Sequence, residues 1–385
     1  MKILIVSTHI TGGAFKDHRK PRNGIEARQH SWIKILKKKG IDVHVLCTGK
    51  IDPVFLEYAT FHSVSELSRD EVLELHGPKE AVAMSRRVGK AYIDQAKIIN
   101  PDFCWSNAST TTVPAAISKF IPTTHMIPDW IPSPMFLQGI VRNCMTITEN
   151  GGRVYASPWI RAKHFEFSDT MDNPPPHTYI SDDADVYTTM DPKIWEMDVV
   201  PNEGKTLMVG RCHPQKNFGK IAKAGIEFDA YVSGADFPNI IKTLDKSENT
   251  VLHHNETRDQ LLLEYQKCST CLVARPDESL GLIAIETLLF GGIPITFVDK
   301  AGQTHAADHY INQVTDLGVK PVAYDDPEWV LDLKIKLVYV NSLSFDDRKS
   351  IAESARKHFS EDSWYDEFWK VLSKSKVPAA PLDLF

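Results

Sequence analysis

Two carboxylates and two permanent cations stand at spacings suited to holding a phosphate ester. In Arg275-Pro276-Asp277-Glu278-Ser279-Leu280-Gly281-Leu282 a loop carries Glu278, Gly281 opens an apolar helix, and Glu286 follows eight residues after Glu278. A helix start presents unpaired backbone N–H groups and a partial positive charge, which together seat a diphosphate. Glu286, about one and a half turns into the helix, can point the same way and accept hydrogen bonds from ribose hydroxyls. Glu278, ahead of the helix, can hold the hydroxyls of a sugar. The alternative is a helix-capping Glu278 and a solvated Glu286. It fits poorly with Leu282-Ile283-Ala284-Ile285 before Glu286 and Leu288-Leu289-Phe290 after it, where an unpaired carboxylate is costly.

A second segment, Val209-Gly210-Arg211-Cys212-His213-Pro214-Gln215-Lys216-Asn217, reads as strand, loop and helix start, with Arg211 and Lys216 five residues apart. Alone they are two surface cations after a strand. Beside the Glu278 segment they can neutralise charge developing on a departing phosphate, a task other sites give to a metal ion. No metal or other cofactor is therefore expected. Cys268-x-x-Cys271 has no second pair to complete a zinc site. The six cysteines, Cys47, Cys104, Cys144, Cys212, Cys268 and Cys271, read as small buried hydrophobes in a reducing compartment.

These groups need a scaffold, and 385 residues suit two α/β domains rather than one core. A hydrophobic content of 42% with 24% charged residues excludes disordered and fibrous classes. In the first half, strands are expected at 2–7, 42–47, 102–106, 123–127 and 144–148, with helices at 25–39 and 81–99, the second stopped by Asn100-Pro101. The stretch 169–202, with Pro174-Pro175-Pro176 and Asp182-Asp183-Ala184-Asp185, reads as an interdomain passage. Alternation resumes with strands at 205–209, 229–233, 250–253, 270–274 and 293–298 and helices at 217–224, 258–267 and 282–290. A domain at 1–190, a second at 203–358 and a terminal helical segment at 359–385 follow. No run of 18 apolar residues occurs and Met1-Lys2-Ile3-Leu4-Ile5-Val6 reads as a buried strand, so a cytoplasmic protein is expected.

The Glu278 segment resembles the E-x7-E signature of the retaining GT-B glycosyltransferases of family four, with Pro276, Glu278, Gly281, Leu282, Glu286, Gly292 and Pro294 in register. Ser279 and Leu280 replace the usual glycine and aromatic. Arg211 and Lys216 are similar to the family's Gly-Arg-x4-Lys element. The resemblance implies two Rossmann-like parallel-sheet domains, a cleft between them, and a last helix crossing back to the first domain; Ser363-Trp364-Tyr365-x-x-Phe368-Trp369 resembles that helix. It implies sugar transfer from a nucleoside diphosphate, UDP favoured, with retention and with the leaving phosphate taking the acceptor's proton. Arg211, Lys216 and the Gly281 helix start would then hold the diphosphate, with Ser279, Leu280 and Leu282 lining the donor. Glu286 would hold ribose, while Glu278 and His125 position the sugar. Ser233, Gly234 and His254 fall where the family contacts the donor. Gly12-Gly13 and Gly24 resemble its glycine turns near the phosphate. A strand-end His such as His254 is more often structural than functional, whereas for His125 the two readings weigh evenly. No G-x-G-x-x-G spacing is present in this turn, which argues against a dehydrogenase.

The acceptor is read from charge. Residues 16–39 hold nine cations against two acids, a +7 stretch in a chain of net −6. Lys16, Arg19, Lys20 and Arg22 then point to a polyanionic partner, either DNA or an anionic membrane surface; a solvated basic helix face is the alternative. Asp129 and Trp130 follow the His125 strand and are placed with the acceptor, Trp130 or Phe136 as a stacking surface for a flipped base. The absence of a clear apolar membrane-docking face favours a hydroxymethylated base in DNA, as in phage base-modifying transferases. The acidic chain favours a glycan or lipid-linked acceptor. A non-catalytic sugar-nucleotide-binding or scaffold protein is a third reading. No obligate protein partner is evident.

Overall fold

The computed structural model describes residues 1–7, 24–107, 111–127, 133–181, 190–191, 193–234, 237–278, 281–317 and 319–376, with backbone alone at 24–27 and 69–70. The chain divides into two units, Met1–Thr189 with Glu361–Phe385, and Met190–Ser360.

The first unit runs β1 (Lys2–Val6), α1 (Gly24–Lys38), β2 (Asp42–Cys47), β3 (Thr60–Ser63), α2 (Arg69–His76), α3 (Pro78–Ile99), β4 (Phe103–Asn107), α4 (Thr112–Ile117), β5 (Thr123–Ile127), α5 (Pro134–Glu149), β6 (Arg153–Ala156) and α6 (Pro158–Ser168). Its strands are all parallel in the order β3-β2-β1-β4-β5-β6. The apolar runs of β1 and β4 are buried, as sheets covered on both faces require. α3 shows why its helix stops: Asn100 takes the left-handed conformation at φ 46, which asparagine tolerates, and Pro101 follows.

The second unit runs α7 (Lys193–Glu196), β7 (Lys205–Arg211), α8 (Phe218–Lys223), β8 (Phe228–Ser233), α9 (Pro238–Asp245), β9 (Thr250–His254), α10 (Arg258–Lys267), β10 (Cys268–Val273), α11 (Leu282–Leu289), β11 (Ile293–Val298), α12 (Ala306–Val314), β12 (Val322–Ala323), α13 (Trp329–Asn341) and α14 (Phe345–His358). Its parallel sheet is ordered β12-β11-β10-β7-β8-β9. Counted from its own first strand, this is the order of the first unit repeated. In each sheet the order reverses between the first and fourth strands, and open α/β sheets bind ligands outside the carboxyl ends of such a pair.

The last helix, α15 (Glu361–Leu372), belongs to the first unit. Trp364 stacks on Trp32 at 6.2 Å, Phe368 meets Trp105 at 4.7 Å, and Ser375 Oγ shares a hydrogen bond with Thr124 Oγ1 at 2.7 Å. Truncating a buried aromatic of this kind costs about 3–5 kcal/mol, so the terminal segment is part of the first core.

Three expectations need correction. Residues 144–148 are helical: their alternation imitates a strand, but Leu137, Ile140, Val141, Cys144 and Ile147 are buried at helical spacing along α5. The strand lies instead at β6, and the short edge strand β3 escaped notice because its residues are only half buried. The third concerns the apolar surface. α13 buries Leu333 and Val340 but leaves Leu331, Ile335, Val338 and Tyr339 exposed, so an apolar face is present after all. Among the described residues no helix is long and apolar enough to cross a membrane.

Candidate donor site in the second unit

Strands β7 and β10 flank the reversal of strand order in the second sheet, and the candidate residues Arg211, Lys216 and Glu278 lie at or just after their ends. β7 ends at Arg211, exposed and with no ion-pair partner among the described residues, in register with Ser233 of β8. Pro214–Lys216 forms a single 3-10 turn, capped by His213 Nδ1, which accepts from Gln215 N at 3.3 Å. The turn carries Lys216 back over Gly210, where a Cβ would stand 3.4 Å from the lysine stem. Lys216 Nζ thereby reaches Glu278 Oε2 at 2.5 Å, both side chains less than a fifth exposed.

The loop that carries Glu278 is anchored on both sides. Asn217 Nδ2 and Tyr324 OH both donate to the carbonyl of Ala274, at 2.7 and 2.9 Å. Arg275 grips Asp277 through two bonds of 2.7 and 3.2 Å. His305 Nε2 donates to the Arg275 carbonyl at 2.9 Å, and its Nδ1 accepts from Ala307 N at 3.0 Å, which fixes the neutral tautomer. Burial lowers the His305 pKa, with Lys216 acting in the same direction. With both ring nitrogens engaged by backbone, His305 positions the loop and holds no free lone pair for proton abstraction.

Gly281 caps α11 in the left-handed conformation, φ 62, and a Cβ there would lie 2.7 Å from that of Ala307. Only glycine permits this close turn onto α12. Leu282 begins the helix, and one turn further Glu286 is buried among Ile285, Leu288 and Leu289. Its partner is Arg258, the first residue of α10, whose Nη2 lies 2.5 Å from Glu286 Oε1; Arg258 Nε is 3.3 Å from Asp191 Oδ2. Sequence reasoning missed Arg258. The signal was present: a cation at the first position of a helix opposes the helix dipole unless carboxylates surround it.

A third turn joins the same sheet edge. His254 Nε2 donates to the Gly234 carbonyl at 2.9 Å, Gly234 N donates to Asn255 Oδ1 at 3.0 Å, and Cys212 N donates to the Ser233 carbonyl at 2.7 Å. Ser233, Gly234, His254 and Arg211 are thus tied to one rim. Ser279 and Leu280 lie outside the described residues.

The first unit's candidates fare differently. His125 is the third residue of β5, not its carboxyl end, and is fully buried, with neither ring nitrogen hydrogen-bonded among the described residues. Burial, with His164 adding, lowers its pKa to about 3, so it is neutral at all ordinary pH. Gly24 begins α1. Gly12, Gly13, Lys16, Arg19, Lys20, Arg22, Asp129 and Trp130 lie outside the described residues. Of the remaining basic stretch, Arg28 is buried, Lys38 and Lys39 pair with Glu361 and Asp362 at 2.9 and 2.6 Å, and Lys34 lies over the Tyr58 ring. Phe136 is exposed near the start of α5. Among the described residues no cluster of three or more metal-ligating side chains is found.

No protein-family model matches the chain, and no curated protein matches it. Solved structures do. Sucrose-phosphate synthase from Thermosynechococcus elongatus is 12% identical, covering 97% of this chain and 98% of its own, with a TM-score of 0.64. AviGT4, a glycosyltransferase involved in avilamycin A biosynthesis, is 13% identical over 97% of this chain and 98% of its own, with a TM-score of 0.61. The UDP-GlcNAc 2-epimerase from Neisseria meningitidis, bound to UDP-GlcNAc, is 13% identical over 93% of this chain and 98% of its own, with a TM-score of 0.53. Two Rossmann-like parallel-sheet units and a C-terminal helical extension, shared over nearly the whole chain, give this protein the GT-B fold.

Proposed function

We propose that the chain is a retaining glycosyltransferase that takes a sugar from a nucleoside diphosphate, UDP favoured, and passes it to an acceptor hydroxyl. The observation that carries this is the 2.5 Å meeting of Lys216 and Glu278, which brings two separate sequence segments to one point beside the Gly281 helix start. Lys216 and the exposed Arg211 supply countercharge for the diphosphate without a metal ion. Glu278 holds hydroxyls of the transferred sugar, and Glu286 accepts from ribose. Engagement of both His305 nitrogens supports a route in which the leaving phosphate, not a protein base, takes the acceptor's proton. The sucrose-phosphate synthase and AviGT4 support transfer. The epimerase is the reminder that the fold alone does not decide it.

For the acceptor, a hydroxymethylated DNA base rests on Lys16, Arg19, Lys20 and Arg22. Pairing of Lys38 and Lys39 within the first unit reduces the field available to a polyanion. The exposed apolar face of α13 favours the second reading, a glycan or lipid-linked acceptor at a membrane. One experiment separates them. The protein is incubated with a panel of UDP- and GDP-sugars, with and without EDTA, and with hydroxymethylcytosine DNA or lipid vesicles carrying a polyprenyl acceptor, and products are read by mass spectrometry. A mass gain on one acceptor, unaffected by EDTA, supports the activity and identifies its class. Transfer abolished by chelation overturns the metal-free site, and no transfer or donor hydrolysis from any sugar overturns the transferase.

A further inference from the structure

Glu286 is held rather than merely buried. One of its oxygens is taken by Arg258 Nη2 at 2.5 Å, and the guanidinium's Nε edge is occupied by Asp191 Oδ2 at 3.3 Å. Its other oxygen, Oε2, has no hydrogen-bond partner among the described residues. The titratable groups that face it are Arg258 and Tyr265 of α10 and Cys271 of β10, with Asp191 acting through Arg258.

This arrangement is a poor device for stability alone. Replacing a buried ion pair by apolar groups of similar size is commonly neutral or favourable, and the neighbours of Glu286 are already apolar. Arg258 also stands in the first turn of α10, where the helix dipole disfavours a cation. The capping box between Thr257 and Gln260 already closes that helix end, so α10 has no need of Arg258 for its own start. What the arrangement does supply is a carboxylate with one oxygen fixed and one oxygen open.

We propose that Arg258 is a positioning residue for the donor: it fixes Glu286 through Oε1 so that Oε2 is aimed to accept ribose hydroxyls, and Asp191 holds Arg258 away from the donor phosphates. The inference rests on the donor reading of Glu286 given above. Burial opposes charge on Arg258, but Glu286 and Asp191 outweigh it and hold the guanidinium pKa above its ordinary value. The guanidinium therefore keeps its charge beside Glu286. Without Arg258, nothing among the described residues fixes Oε1, and the carboxylate is free to turn away from the ribose.

The test titrates UDP, GDP and ADP by calorimetry into the parent protein and into Arg258→Ala, Arg258→Lys, Asp191→Asn and the double variant Arg258→Ala/Glu286→Gln, from pH 5.5 to 8.5. For the nucleotide that binds the parent, Arg258→Ala should weaken binding about tenfold or more, the size of a lost charge-assisted hydrogen bond. Arg258→Lys should recover part of the affinity, and the double variant should lose little beyond Arg258→Ala, because Arg258 acts through Glu286. Binding by Arg258→Ala within twofold of the parent at every pH overturns the proposal. If that variant does not fold, Arg258→Lys and Asp191→Asn decide: weaker binding with unchanged thermal unfolding supports the role, and unchanged binding overturns it. A parent that binds none of the three nucleotides overturns the donor reading instead.

Discussion

Lys216 Nζ and Glu278 Oε2 lie 2.5 Å apart, a cation from the turn after β7 against an acid from the loop after β10. The two strands on either side of the reversal in strand order thus share one ion pair. An ammonium has three N–H donors, so Lys216 can keep Glu278 and still meet a phosphate oxygen. A ligand arriving here joins an existing interaction rather than filling empty space.

This pair makes stability depend on pH in a defined direction. Burial opposes ionisation of Glu278, but Lys216 outweighs it, and the carboxyl pKa lies below its ordinary value. Its contribution is therefore present above the usual carboxylate range and is lost as pH falls through the lowered folded value. Lys216→Met leaves a buried carboxylate unpaired. The Tm gap between parent and variant should be widest near neutral pH and narrow on acidification, starting above the ordinary carboxylate value because the unpaired buried carboxyl of the variant takes up its proton first. A constant gap in a Tm series from pH 3 to 8 would show that the pair carries no linkage.

Division of labour between the two glutamates is testable by kinetics. On the proposed reading, Glu286→Ala should chiefly raise the donor KM, because a ribose contact would be lost equally from ground and transition states. Glu278→Ala should chiefly lower kcat, by about tenfold or more, because its proposed role is to position the reacting sugar. Donor hydrolysis or transfer rates on both variants decide the matter, and matching profiles would remove the distinction.

Gly281→Ala should destabilise the second unit by about 1–3 kcal/mol, through a left-handed backbone and overpacking against Ala307. Urea unfolding measures the loss. An unchanged midpoint would mean that α11 and α12 part readily.

His125 sets the acid sensitivity of the first unit. Its folded pKa of about 3 lies below the ordinary value for histidine, so below pH ~6.5 the unfolded chain takes up a proton that the folded one does not. Stability should fall with pH across that window, by about 2 kcal/mol at pH 5 from this group. His125→Leu should flatten the fall between pH 7 and 5. Equal slopes in the two proteins would count against a neutral buried imidazole.

Much of the second unit was legible because most of its strands are short apolar runs bounded by turn residues; the two-residue edge strand β12 carries too little pattern to be read. β11 and α10 have the expected limits, and the expected Glu278 and Lys216 meet. Long-range partners were not legible. Arg258 is 28 residues from Glu286, and nothing in local spacing says that α10 lies against α11. His305 was invisible for the same reason. In the first unit the misread run at 144–148 shows the limit of periodicity over five residues, where helix and strand patterns coincide. The placement of His125 shows another limit, since a strand's end is judged from sequence only to within a few residues.

The first unit is written in two pieces, with Met190–Ser360 inserted between them. During synthesis the ribosome therefore finishes the continuous second unit while Trp32 and Trp105 still await Trp364 and Phe368. Vectorial production reverses the usual order, so that the later-made unit has its whole sequence first. A nascent chain stopped at residue 360 should display a protease-resistant second unit beside a loosely closed first one, with the last helix serving as the clasp.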